Sequence, residues 1–173
     1  MALLPPGLTV YPILCFPLGA MASTLPPTGV PATPPSPMDP TRAFIAVALA
    51  AVSWDGVLTP AGSRALRHAL DYRPPFSKLS DTEMVQLMDS VLADLRAQGP
   101  QHLMLEAATA LSPRQCHTAY AVATEIMRSD GPLEPDERNI LSSLAYAFKL
   151  EELETSIVQT AMDVLHASLL EED

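Results

Sequence analysis

The chain has 173 residues, 48% hydrophobic and 17% charged, with a formal net charge of −10 at pH 7. This is enough apolar material for one packed domain, while the acidic balance disfavours a nucleic-acid binder, whose affinity depends on a basic face. Seven glycines and 5% aromatic residues disfavour a collagen-like chain or a β-sandwich, and two cysteines, Cys15 and Cys116, are too few for a disulfide framework and fit a reducing compartment.

Residues 1–38 form an uncharged tail that contains ten of the 18 prolines. Each proline removes an amide donor and fixes φ, so we expect this tail to be disordered. A signal peptide or a membrane span is disfavoured, because no basic residue precedes the apolar run and prolines interrupt it. The favoured alternative is that translation begins at Met21 or Met38, so that the preceding tail is never translated. The expected domain covers residues 39–173.

From Asp39 onward the pattern predicts seven helices and no strand. The predicted starts combine a capping residue with a proline, or with an acid or amide three residues later: Asp39-Pro40, Thr59-Pro60, Ser80/Glu83 and Ser112/Gln115. The first helix is expected to bury one face, made of Phe44, Val47, Ala48, Ala51 and Val52. The seventh helix, 151–168, is expected to bury Leu153, Ile157, Ala161, Val164 and Leu165.

A shift of 75 positions superimposes two stretches of the sequence. The matching residues are Ala46-Val47-Ala48 with Ala121-Val122-Ala123, then Asp55, Gly56, Leu58, Pro60 and Leu66 with Asp130, Gly131, Leu133, Pro135 and Leu141. Each copy has the pattern of a helix, a short elbow and a second helix. The repeat predicts two equivalent helical hairpins related by a pseudo-twofold axis.

The elbow residues have an explanation in folding alone. Aspartate accepts local backbone amides, glycine supplies a positive φ where a helix ends, leucine closes the open end of the hairpin, and proline presets φ for the next helix. These structural roles fall to Asp55, Gly56, Leu58 and Pro60 in the first elbow, and to Asp130, Gly131, Leu133 and Pro135 in the second.

A cation site is the alternative explanation of the acidic elbows. The second elbow is similar to the second half of an EF-hand loop, but Ile126 and Arg128 stand where the first and third ligands would be. That mismatch disfavours a conventional EF-hand and leaves a weaker site shared by both elbows. The candidate metal ligands are Asp130, Glu134, Asp136, Glu137 and Asp55.

The sequence shows no catalytic motif. The four histidines lack the spacing of a metal pair, and there is no phosphate-binding loop or nucleophile elbow, so we predict no enzymatic activity. Cys116 is expected to be a packed residue and Trp54 a hairpin anchor. Five methionines are expected in the core, with a Met-rich groove for a partner helix as the alternative: Met84, Met88, Met104, Met127 and Met162.

The Ala- and Val-rich helix that ends in Asp130-Gly131, followed by Leu133 and an acidic helix start, resembles the tellurite-resistance TerB family. The similarity covers about residues 41–165, and the first elbow matches as a degenerate copy. It implies an all-α, seven-helix, pseudo-twofold bundle that is cytoplasmic or at the inner membrane face. It also implies divalent-cation binding in some members, a role that only the five acids named above can inherit.

These observations predict a non-catalytic binding or scaffold module, and the TerB resemblance implies that it belongs to a tellurite or chemical-stress response system. We expect protein partners in a larger cytoplasmic assembly, no nucleic acid, and at most peripheral contact with a membrane. No cofactor is expected. The alternative is a divalent-cation binding or sensing protein that uses the acidic Asp-Gly elbows.

Overall fold

The computed structural model describes residues 38–54 and 59–169, and the regular secondary structure in those ranges is entirely helical. The predictions for residues 1–37 and for Asp55, Gly56 and Leu58 lie outside the described residues. The α-helices are α1 (Pro40–Val52), α2 (Pro60–Asp71), α3 (Asp81–Gln98), α4 (Pro100–Ala110), α5 (Pro113–Arg128), α6 (Pro135–Phe148) and α7 (Glu152–Leu165), and a short 3-10 helix spans Phe76–Lys78. The all-α prediction with seven helices is confirmed for this part of the chain.

The helix starts follow the sequence signals. Asp39 Oδ1 accepts a hydrogen bond from the Thr41 amide at 2.9 Å, and Thr59 Oγ1 accepts one from the Gly62 amide at 2.9 Å. The two predicted capping boxes open α3 and α5. These bonds satisfy amides that the first helical turn leaves unpaired, so each start is encoded by a few neighbouring residues.

Helix α1 is the centre of the bundle. Residues 43–52 are all buried, and α2, α3, α4 and α5 all contact this helix. The expectation of one buried face was too narrow, because the run from residue 43 to Trp54 carries no charge on any side. Arg42, just before the buried run, pairs with Asp94 on α3, and its Nη2 also donates to the Ser90 carbonyl at 3.1 Å.

The two predicted hairpins are present as α1/α2 and α5/α6. Pro60 and Pro135 are the first residues of α2 and α6, and Leu66 and Leu141 are both buried. Pro60 and Leu66 therefore hold the same positions in α2 as Pro135 and Leu141 hold in α6. Helix α5 also contacts α1, α2 and α7, which makes it the second interior helix.

The apolar face of α7 is exposed, whereas the sequence predicted that this face is buried. The five residues expected in the core are all exposed, and no residue of α7 is buried: Leu153, Ile157, Ala161, Val164 and Leu165. The helix contacts α5 through its other face, where Val158 packs against the core. The prediction was wrong because periodicity identifies an apolar face without showing whether a neighbouring element covers it.

Polar contacts hold α7 against α5. Gln159 Nε2 donates a hydrogen bond to the Tyr120 hydroxyl at 2.8 Å, and Arg128 Nε donates to Asp163 Oδ1 at 2.8 Å. Both pairs run in the same order along the two helices, so α5 and α7 are parallel. Because these polar pairs contribute to the contact, α7 packs against α5 with fewer buried apolar residues than the interior helix α1 has.

Candidate binding site

The second elbow joins α5 to α6 with a tight turn. Gly131 has a φ of 155°, which residues with a side chain rarely adopt. Leu133 is buried at the end of the hairpin, and Pro135 opens α6. Asp130 Oδ1 accepts a hydrogen bond from the Ser129 hydroxyl at 3.2 Å. The turn therefore leaves the Asp130 carboxylate near the protein surface.

The acidic residues at the start of α6 take part in helix capping. Glu134 is the N-cap residue, and its amide donates to Glu137 Oε2 at 2.8 Å. Asp136 lies in the first turn, where the helix dipole stabilises a carboxylate. Arg138 Nε donates to the Leu133 carbonyl at 3.2 Å and ties the elbow to the helix. Folding alone accounts for the acids at this helix start.

A small cleft lies where the two hairpins meet. It has a volume of about 40 Å³, and Asp130 and Glu137 of the second hairpin line it together with Trp54, Thr59 and Gly62 of the first. The structure thus brings two of the predicted metal ligands, Asp130 and Glu137, to one cleft beside Trp54 and Thr59.

The other predicted ligands are not brought to this cleft. Glu134 and Asp136 do not line it, and Asp55 lies outside the described residues. Across residues 38–54 and 59–169, no group of three or more His, Cys, Asp or Glu side chains is placed to hold a metal ion. Two carboxylates supply fewer than the six to eight oxygens that Ca²⁺ takes, so a cation here would depend on water or on further ligands.

Trp54 also lines a larger groove between α4 and α6, which we call the α4/α6 groove. Its volume is about 300 Å³. Its apolar lining comes from Trp54, Met104, Leu105, Ile140 and Leu144, and uncharged polar groups complete it. This volume is at the lower end of the range for ligand pockets and suits a few apolar side chains.

Sequence reasoning missed the α4/α6 groove. Of the five methionines expected in the core, Met104 lines it, while its neighbour Leu105 is 45% exposed at the opening. The walls come from helices that are distant in sequence, so no local pattern could show that they meet. The Met-rich groove considered from the sequence included Met104, but it did not include Leu105 or any residue of α6.

The buried titratable groups of α5 serve packing. Cys116 is buried, its Sγ lies 3.7 Å from the Leu111 carbonyl, and burial raises the pKa of the thiol. Burial also raises the pKa of Tyr120, an effect that its hydrogen bond with Gln159 partly offsets. Both groups are neutral at pH 7, and a thiol in that state is a poor nucleophile.

No family model, curated protein or solved structure matches the chain. Within the ranges that the structure covers, no helix combines the length and the apolar character needed to cross a membrane.

Proposed function

We propose that this chain is a non-catalytic helical binding module of TerB-like type that serves a tellurite or chemical-stress response system in the cytoplasm. In this proposal, a pseudo-twofold axis relates the two hairpins, and the α4/α6 groove receives an apolar helix of a protein partner. The observation that carries the proposal is the open apolar groove beside the acidic elbow.

The chemistry of the groove favours an amphipathic helix as the occupant. Trp54 is half-buried and supplies a large apolar contact, Leu105 is 45% exposed, and Met104 forms part of the buried wall. Such grooves bind helices whose apolar side chains recur three and four residues apart. Asp130 on the neighbouring elbow and the net charge of −10 favour basic residues next to that apolar face.

The binding role is tested with three forms of the full chain as bait: wild type, Leu105→Lys, and Val85→Lys as the control. Val85 is 58% exposed on α3 and outside the groove, so the control adds the same charge at a similarly exposed site. We expect a cellular protein that wild type and Val85→Lys retain and Leu105→Lys loses. Once purified, it should also shift the emission of Trp54, the single tryptophan. Equal retention by all three baits contradicts the groove as the site.

The stress-response role is tested in cells. A strain without the protein should grow more slowly than its parent on tellurite, and wild type and Val85→Lys should restore growth. Leu105→Lys should fail to do so although it folds. Unchanged growth of the deletion strain on tellurite and on other chemical stresses would contradict this part of the proposal.

A divalent-cation binding or sensing role is the second candidate. The observation that favours it is the meeting of Asp130 and Glu137 in the cleft between the hairpins. A cation that binds only the folded state raises the melting temperature. Millimolar Ca²⁺, Mg²⁺, Mn²⁺ or Zn²⁺ should then raise the melting temperature of wild type and leave that of the Asp130→Asn and Asp55→Asn variants unchanged. If no metal shifts wild type while both variants melt lower, the acids act only in folding.

A further inference from the structure

A cavity distinct from the α4/α6 groove lies between the start of α1, the segment that follows α2 and the start of α5. Its volume is about 310 Å³, and we call it the arginine pocket after Arg73 and Arg114, which line it. Phe44, Phe76 and Leu111 also line it and are all buried, and the centroids of the two phenylalanine rings are 5.7 Å apart. None of its lining residues lines the α4/α6 groove, so the pocket is independent of the proposed binding function.

The arginine pocket carries positive charge in an acidic chain. Among the residues that the structure describes, no aspartate or glutamate lines it, although the chain has 20 acidic residues against ten lysines and arginines. Arg42, Arg67 and Arg128 each pair with an aspartate. Arg73 and Arg114 form no such pair with a carboxylate in the described part of the chain. Two uncompensated guanidinium groups beside a buried apolar surface favour an anionic ligand.

Arg73 is held in position by its own chain. Its Cζ lies 5.6 Å from the centroid of the Phe44 ring and 5.5 Å from that of the Tyr72 ring. Its Nη1 donates a hydrogen bond to the Ala69 carbonyl. The aromatic contacts use none of the five N–H donors of the guanidinium, so donors remain for an anion. A side chain that is ordered in advance loses little conformational entropy when a ligand binds.

The first turn of α5 supplies further donors to the pocket. Arg114 is exposed, and the next residue, Gln115, also lines the pocket. Gln115 Oε1 accepts a hydrogen bond from the Ser112 amide at 2.9 Å in the capping box, which orients the side chain and leaves its Nε2 group as a donor. Donors from Arg73, Arg114 and Gln115 thus meet at one pocket, although α2 and α5 are distant in sequence.

We infer that the arginine pocket binds a small amphipathic carboxylate. Its apolar body packs against Phe44 and Phe76, and its carboxylate accepts hydrogen bonds from Arg73 and Arg114, whose planar guanidinium groups match it in shape. An inorganic anion would leave the aromatic surface uncovered, and an uncharged apolar molecule would leave both charges unpaired. A monoanion suits this chain better than a dianion such as an alkyl phosphate, which the net charge of −10 repels more strongly. The volume is at the lower end for ligand pockets and limits the ligand to a small molecule.

Calorimetric titration of the full chain with octanoate tests both parts of the ligand. We expect octanoate to bind at a single site. Acetate lacks the apolar body and octylammonium reverses the charge, so each should bind at least about tenfold more weakly. Octyl phosphate should also bind more weakly than octanoate. Absence of octanoate binding at millimolar concentration, or equal binding of octylammonium, overturns the proposal, and tighter binding of octyl phosphate overturns the choice of a carboxylate.

Three variants locate the octanoate site, and the melting temperature of each checks its folding. Arg114→Gln should weaken octanoate binding by about tenfold or more at an unchanged melting temperature, because the side chain is exposed. Arg64→Gln, the matched exposed site on α2 outside the pocket, should bind like wild type. Thr118→Phe, at a half-buried lining residue, should fill the pocket and abolish binding with both arginines in place. Equal weakening by the two arginine variants, or full binding by a folded Thr118→Phe variant, overturns the pocket as the site. If Thr118→Phe does not fold, the two arginine variants alone decide.

Discussion

Helices α1 and α7 both carry apolar residues at helical spacing, yet α1 is buried and α7 is exposed. Residues 43–52 of α1 are all buried, whereas α7 buries none of its residues. The difference in burial follows the distribution of charged residues along the two helices. After Arg42, α1 carries no charged residue, while Glu152, Glu154 and Asp163 are distributed along α7. Helix α1 lacks charge around its whole buried run, whereas α7 carries charged residues and exposed apolar residues together.

The largest expected contrast comes from one truncation made in each helix. Leu49→Ala in α1 should lower the free energy of unfolding by about 2–5 kcal/mol, because Leu49 is buried and the cavity cannot collapse fully. Leu153→Ala in α7 should change it by less than about 0.5 kcal/mol, because the side chain is exposed. Urea denaturation at low micromolar concentration measures both. Equal losses would contradict the assigned depths.

The next contrast concerns the closeness of helix packing. A Cβ at Gly62 would lie 2.7 Å from Val52 Cγ2 and 3.1 Å from Thr59 Oγ1, so α2 approaches the end of α1 too closely for a side chain. Gly62→Ala should cost about 1–3 kcal/mol although alanine is the better helix former. Ser156→Ala on the open face of α7 should instead be neutral or slightly stabilising. A stabilised Gly62→Ala variant would refute the close approach.

A pH-dependent contrast is expected from two capping boxes. The Ser80 amide and then the Ser80 hydroxyl, through hydrogen bonds to Glu83, lower the pKa of that carboxyl. Its stabilisation is present near neutral pH and is lost as the pH falls through the lowered pKa. Glu83→Gln should therefore melt a few degrees below wild type at pH 7, and the difference should shrink towards pH 3. A difference that is constant with pH would show that the carboxylate charge plays no part.

The corresponding box of α7 is the control for that experiment. The Glu151 amide donates to Glu154 Oε2 at 2.9 Å, the same distance as from the Ser80 amide to Glu83 Oε2, but without a donating N-cap hydroxyl. Because α7 buries no residue, Glu154→Gln should loosen α7 locally and leave the global melting temperature nearly unchanged. An equal fall of the melting temperature in both variants would show that α7 unfolds together with the bundle.

The smallest expected effect is on the ion pair that links α7 to α5. Arg128 and Asp163 form a partly exposed pair, of a kind that contributes about 0.2–1 kcal/mol. Asp163→Ala should leave the global free energy of unfolding within that range of wild type and speed amide exchange in α7. Added salt should produce a similar change in wild type, because it screens the pair. Unchanged exchange in α7 would show that the pair does not hold the helix.

The helix starts could be predicted because each depends on two or three neighbouring residues. Ser80 with Glu83 and Thr59 with Pro60 carry their capping geometry in the local sequence. The outer face of α7 could not be predicted in this way, because the same apolar spacing is compatible with burial and with exposure. The missing information was long-range, namely that Tyr120 and Arg128 bind the other face of the helix.

The candidate site could also be predicted only where its features depend on neighbouring residues. The positions of Asp130, Gly131 and Leu133 in a turn followed from the sequence, because glycine and proline mark such turns. The groove beside the turn did not follow, since Met104 and Ile140 belong to helices that meet only in the folded bundle. The sequence repeat indicated two hairpins, whereas their meeting at a shared cleft required coordinates.

Native-state hydrogen exchange tests the contrast between α1 and α7 most directly. At low micromolar concentration, we expect the amides of α1 to exchange only through global unfolding and those of α7 to exchange faster, through local opening. If α7 is as protected as α1 at the low concentration, its outer face is part of the core and the account is wrong.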